Sequence, residues 1–248
     1  MKKTKEKKAF VKFIVTVMMW GLIGGTIGFC ASHFSLNIGE MIELIFHWIV
    51  KSSTVLLALC YIPMALAAAN LIKGKKYVVM ALSQEEEEPF QKADDYIEKS
   101  ITWGSYSMIL SFAAFGIMAS GMIEGGIAGI KGVLISLALF VLLLIILTVL
   151  QYMAVEETKK MYPEKRGNVL EEKFQKDWFF SCDEAERAKI GEAAYASHMA
   201  LAKAFVIYFA AAVMLSIVIP IGPLPVIIIS SLWFIQNMTY LNTIKKQK

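Results

Sequence analysis

The side chains able to do chemistry are few and scattered. Glu43, His47 and Lys51 stand four residues apart, so a helix would place them on one face, and a Glu/His pair at i,i+4 is a metal-ligating spacing. Two ligands on a surface helix do not make a site, and a solvated polar face is the stronger reading. The other histidines, His33 and His198, add nothing to that pair. Cys30, Cys60 and Cys182 have no metal-ligand spacing. The first two fall in apolar runs and read as buried small hydrophobes, while Cys182 falls on the side where thiols stay reduced.

Glu156 and Glu157 resemble the double glutamate of intramembrane prenyl-protein-type proteases, but no arginine or partner histidines follow at the required spacing. No G-x-S-x-G elbow, H-E-x-x-H helix, Walker loop or dinucleotide fingerprint is present. The expectation is a protein without catalytic, metal-binding or cofactor-binding residues. A membrane-embedded hydrolase is the residual enzyme reading.

A different kind of site is suggested by FFSCDEAERAKIGEAAY, residues 179–195. Ser181 with Glu184 reads as an S-x-x-E capping box, and Asp183 and Arg187 stand four apart. Trp178, Phe179 and Phe180 put an aromatic cluster beside that helix start. Aromatic clusters form interface centres, so Trp178, Phe179, Phe180, Asp183, Glu184 and Arg187 are the candidate partner surface. The competing reading is that these aromatics anchor the helix base or seal two such helices together.

The elements that must hold these residues are membrane helices. The chain is 57% hydrophobic, against about 45–50% apolar in soluble domains. Six runs approach the roughly 20 residues that cross a bilayer: about 9–31, 52–72, 100–121, 127–153, 199–219 and 224–241. Backbone groups in lipid must be satisfied internally, so the runs are expected to be helices. All but Lys51 and Lys131 of the 25 lysines and arginines fall on one side of this arrangement, which the positive-inside rule makes cytoplasmic, with both termini. The net charge of +4 belongs to topology and to anionic lipid, not to direct nucleic-acid binding. The lysine-rich start before an apolar run looks like a secretory signal, but the run is longer than the 7–15 residues of a signal core and Phe29 is bulky. An uncleaved first helix is expected.

The expected fold is all-α: one six-helix membrane domain over residues 1–248, built as three outward-pointing hairpins. Segments 73–99 and 154–198 are its cytoplasmic excursions. In the outer link after helix 1, Asn37 and Glu40 form a candidate capping box for a short amphipathic helix carrying Trp48. No proline or loop signal separates residue 181 from Pro220, so helix 5 is expected to run past the bilayer as a charged stalk, interrupted mildly by Gly191. Helix 3 shows the same device. At a shift of 89 residues Phe90, Asp94, Ile101 and Tyr106 match Phe179, Asp183, Ile190 and Tyr195, as an internal repeat or as convergence. The two stalks could then pack together.

Within lipid, helices associate through small residues. Gly21 with Gly25 and Gly24 with Gly28 are the expected packing pairs, within the chain or across a homo-oligomer seam. The deep polar residues noted are Asn70, Gln151, Gln236 and Asn237, near the cytoplasmic ends. No ionisable group near the midplane marks an ion relay. Pro63 is a candidate kink.

The segment KFQKDWFFSCDEAERAKIGEAAYASH resembles a family of small multi-pass membrane proteins of Gram-positive bacteria, a domain of unknown function. Its pattern K-F-x-x-x-W-x-x-S-C-D-E-A-E is occupied by Lys173, Phe174, Trp178, Ser181, Cys182, Asp183, Glu184, Ala185 and Glu186, with Tyr195 following. The resemblance covers some thirty residues. It implies a bacterial plasma membrane location and an accessory role beside a transcription regulator or transporter. Two readings stand: a non-catalytic accessory or regulatory membrane protein binding a cytoplasmic or membrane partner, such as a cytoplasmic regulator, through its stalks, or, from six spans in about 250 residues, a permease subunit of an ATP-driven exporter of the antimicrobial-peptide immunity type, partnered by an ATPase subunit.

Overall fold

The computed structural model describes residues 8, 11, 12, 14, 15, 18, 19, 21, 22, 25, 26, 38–84, 87–120, 126–218 and 222–246. The positions described between 8 and 26 are helical. Eight longer elements follow in chain order: α1 (Ile38–Lys51), α2 (Ser53–Leu59), α3 (Tyr61–Gln84), α4 (Glu87–Ser120), α5 (Gly126–Met161), α6 (Phe174–Ser181), α7 (Glu184–Val218) and α8 (Leu224–Lys246). No strand occurs among the described residues. Five stretches are long and apolar enough to cross a membrane: Ser53–Ser83, Glu87–Ser120, Val133–Met161, Glu184–Ser216 and Leu224–Thr243. The chain is an all-helical, multi-pass membrane protein. The expected first span, 9–31, and the Asn37 cap lie largely or wholly outside the described residues, as do Gly24 and Gly28.

Segment 73–99 is not a loop. α3 continues helically to Gln84 and α4 is already helical at Glu87, so the two form a long antiparallel hairpin. Glu87 and Glu88 occupy the first turn of α4, where the helix dipole favours acids, and Pro89 falls in the same turn, where no N–H is needed. α5 likewise runs on to Met161. α3, α4 and α5 pack on one another, and α1 and α2 rest on α4. α7 and α8 pack on each other.

The seam of this bundle is a stripe on α4: Ala93, Ile97, Ser100, Ser107, Ser111, Ala114 and Met118 are its buried residues, three, four or seven apart. Gly104 continues it, because a Cβ there would lie 3.9 Å from Ala67 Cβ. Small side chains let backbones approach where lipid offers no hydrophobic drive. Two clusters fill the interior. Leu57, Cys60, Ala114, Phe140, Leu143 and Leu147 pack in the apolar half. Leu71, Val78, Ala93, Ile97, Ala154 and Met161 pack in the part beyond it.

Beyond Asn70, Gln151, Gln236 and Asn237, the apolar runs also hold Ser100, Ser107, Ser111 and Ser136, all buried. Ser111 donates to Met108 O of its own helix and Ser136 meets Thr54 Oγ1, while Ser100 and Ser107 reach carbonyls of a neighbouring helix or its end. α2 and α3 meet at Cys60, whose backbone keeps helical dihedrals, and Pro63 has no N–H to give to the carbonyl one turn earlier. Ser107 Oγ, from α4, donates to the Cys60 carbonyl at 2.7 Å. Ser100 Oγ donates to Ala67 O at 2.8 Å, and Tyr61 OH donates to Leu139 O at 2.7 Å. Hydroxyl-to-carbonyl bonds of this kind hold helices together within the apolar layer. Gly21 and Gly25 have open space where a Cβ would point.

Candidate functional site

The candidate surface is built by the chain between α5 and α7. Pro163 disfavours helical backbone at Tyr162, and α5 ends at Met161. Gly167 then takes φ +116°, and a Cβ there would stand 3.0 Å from Phe174 Cδ2 and 3.2 Å from its carbonyl oxygen. Only glycine makes that turn without strain. Asn168 Oδ1 accepts the Leu170 N–H at 3.1 Å, an Asx turn that leads into α6.

α6 stops at Ser181 because Cys182 is extended, with ψ 147°. This corrects the expected cap. Glu186 N–H donates to Asp183 Oδ1 at 2.7 Å, and Asp183 N–H donates back to Glu186 Oε2 at 3.1 Å. The capping box of α7 is therefore Asp183 with Glu186, not Ser181 with Glu184. Ser181 is used elsewhere: its hydroxyl accepts Arg166 N–H at 3.0 Å and donates to Trp178 O at 2.7 Å. From Glu184, α7 runs 35 residues, about 50 Å, straight through Gly191.

Lys165 lies at the centre of this knot and is only 6% exposed. Its ammonium pairs with Glu186, reaches Cys182 Sγ at 3.4 Å and stands 5.8 Å from the Trp178 ring centre. Burial works against the charge, yet the Glu186 carboxylate and the Cys182 sulfur outweigh it, so the Lys165 pKa is raised above the ordinary lysine value. Arg187 Nε donates to the Cys182 carbonyl at 2.9 Å and completes the α6–α7 corner.

The knot is tied to the bundle through Tyr162. Its hydroxyl donates to Asp94 on α4, and its ring meets Phe90 edge-on at 5.3 Å. Burial first, and the Asp94 bond second, push the tyrosine pKa well up. Beside it Glu157, 7% exposed, accepts from Lys160 at 2.8 Å and faces Lys75 of α3 at 3.7 Å. Glu156 pairs with Lys159 at 2.8 Å, so both members of the double glutamate hold lysines. The positions aligned at a shift of 89 residues do different jobs: Asp94 accepts a tyrosine hydroxyl in mid-helix, whereas Asp183 caps a helix.

Of the six candidate interface residues, Asp183 and Arg187 are bound within the knot, though their surfaces remain exposed, and Trp178 packs on Phe174 at 5.7 Å. Phe179 and Phe180 meet at 5.7 Å, and Phe180 is 63% exposed. Glu184 is exposed. Leu170, exposed to a similar degree, was not singled out by sequence, because one leucine in a charged loop gives no signal.

Elsewhere, a groove of about 260 Å³ opens between α4 and α5, lined by Ser100, Ser105, Gln151, Gly104 and apolar side chains, with no acid or base. His47 is exposed on α1. His198 stacks on Tyr240 at 4.5 Å, and Gln236 Nε2 donates to the His198 carbonyl at 3.1 Å, joining α7 to α8. Among the described residues no group of three His, Cys, Asp or Glu side chains could hold a metal ion.

Residues 7–244 match the model of a protein family of unknown function, DUF3169, and the chain belongs to that family. No curated protein and no solved structure matches it.

Proposed function

We propose that this membrane protein is a non-catalytic accessory or regulatory protein that binds a cytoplasmic partner through the knot at residues 162–187. The observation that carries the reading is a bare aromatic on a pinned backbone. Phe180 is 63% exposed, while the segment around it is fixed by Lys165–Glu186, by Arg187 on the Cys182 carbonyl and by Ser181 on Arg166. A preorganised anchor of this kind spends little ordering entropy on binding. The exposed carboxylates of Asp183 and Glu184 flank it, so the partner has an apolar pocket rimmed by basic groups.

The plasma membrane location, the bacterial source, the cytoplasmic termini and a stalk made by the first turns of α7 belong to the same proposal. They rest on the placement of lysine and arginine and on the resemblance of the 173–195 segment. The exporter-subunit reading draws on the long α3–α4 hairpin beyond the apolar runs, an element an ATPase could grip.

Affinity purification of the full-length protein separates the two. Loss of a co-purifying regulator with Phe180→Asp, at unchanged membrane level, supports the first reading. An ATPase retained through the 73–99 hairpin and indifferent to Phe180→Asp supports the second.

A further inference from the structure

α3 leaves its apolar run at Lys73, and α4 enters its own at Ser100. Antiparallel packing brings these two crossings to one level. Ser100 Oγ bonds the Ala67 carbonyl at 2.8 Å, and a Cβ on Gly74 would lie 3.0 Å from Ile97 Cγ1.

At this level two ammonium groups converge on one ring. Lys73 Nζ is 5.6 Å, and Lys99 Nζ 5.7 Å, from the centre of Tyr96. Tyr96 is itself stacked on Tyr77, 5.5 Å away and 8° from parallel. Trp103 lies seven residues beyond Tyr96, hence on the same side of α4, and is 37% exposed one turn into the apolar run. Tryptophan and tyrosine at the ends of an apolar run mark the headgroup level of a bilayer.

The charges at this spot are unequal. Lys99 pairs with Asp95 at 2.6 Å, but Lys73 is exposed and has no carboxylate within 4.0 Å among the described residues. A cation held over an aromatic ring at the edge of hydrocarbon calls for an anion at the same depth.

We propose that Lys73, Tyr96 and Lys99 form a headgroup site for an anionic phospholipid, whose phosphate lies between the two ammonium groups and whose chains run past Trp103. Tyr96 holds the lysine stems in place, and the phosphate draws Lys99 away from Asp95. Zwitterionic lipid carries its own ammonium group and is a poorer match for two lysines.

The test is native mass spectrometry of the full-length protein released from detergent, with phosphatidylglycerol and phosphatidylcholine of identical chains. The site predicts a preference for phosphatidylglycerol. Lys73→Gln and Lys99→Gln should each weaken it roughly fivefold, as expected for one juxtamembrane lysine. Lys176→Gln, on α6, should leave it unchanged. Asp95→Asn removes the competitor of the phosphate and should strengthen binding, which keeps the test decisive if Lys99→Gln folds poorly. Equal binding of the two lipids, an unchanged preference in the Lys73→Gln/Lys99→Gln double variant, or full competition by inorganic phosphate would each overturn the proposal.

Discussion

The hydroxyl of Ser107 stands 2.7 Å from the carbonyl oxygen of Cys60, so a side chain of α4 is bonded to the backbone at the α2–α3 junction. Cys60 and Ser107 lie 47 positions apart in the chain, so this bond ties one helix to the next. Ser107→Ala should therefore lower stability by about 1 kcal/mol, the usual scale of such bonds between membrane helices. Ser107→Leu should do much more harm, because the site is fully buried and has no room. Thermal unfolding in detergent checks both, and equal melting of Ser107→Leu and wild type would contradict the packing described.

Two glycines should respond in opposite directions. Gly74 faces Ile97, with backbone and side-chain atoms 3.0–3.6 Å from a would-be Cβ. Gly74→Leu must push α3 from α4 and should cost about 1–3 kcal/mol. Gly191 has open space around it inside α7, so Gly191→Ala should gain up to about 1 kcal/mol of helix propensity. Melting of the two variants beside wild type gives the comparison.

Lys165→Ala should loosen the knot without unfolding the bundle. It removes the partner of Glu186 and leaves the Cys182 region unfilled. Because the Glu186 side chain is 40% exposed, the remaining carboxylate can be solvated, and the loss should be about 1–2 kcal/mol, below that of a fully buried pair. Limited proteolysis should show faster cleavage within 162–183 while the α3–α4 hairpin stays protected.

The knot should fail at alkaline pH. The folded state holds the protons of Lys165 and Tyr162 more tightly than the unfolded chain, since both pKa values are raised. Their contribution is complete below the unfolded values, about 10 for both, and is lost as pH rises through the folded ones. Proteolysis within 162–183 should be flat from pH 7 to 9 and should rise above about 10. Tyr162→Phe should reduce the Tyr162 part of that rise.

The apolar runs and the long helix from residue 184 were legible in the sequence, because hydropathy over twenty residues and a missing breaker are strong signals. The helical continuation of α3 was not, because KGKKYVVMALSQ looks like a linker when charge is weighed first. Its core stripe was nonetheless present in Leu71, Gly74, Val78 and Ala81, spaced three and four apart. The α7 cap was misplaced by two residues because two overlapping S/D-x-x-E boxes occur. Only the turn at Gly167, which brings Arg166 to Ser181, decides between them. The buried serines escaped notice because a serine in an apolar run is unremarkable until the neighbouring carbonyl is seen.

The proposed function requires the knot carrying Phe180 to face the cytoplasm and to be open to a partner. A chain lacking its native cysteines, with Phe180→Cys introduced, should resist a membrane-impermeant maleimide in intact cells. It should react fully once the membrane is opened. Labelling of that cysteine from outside intact cells would contradict the proposal.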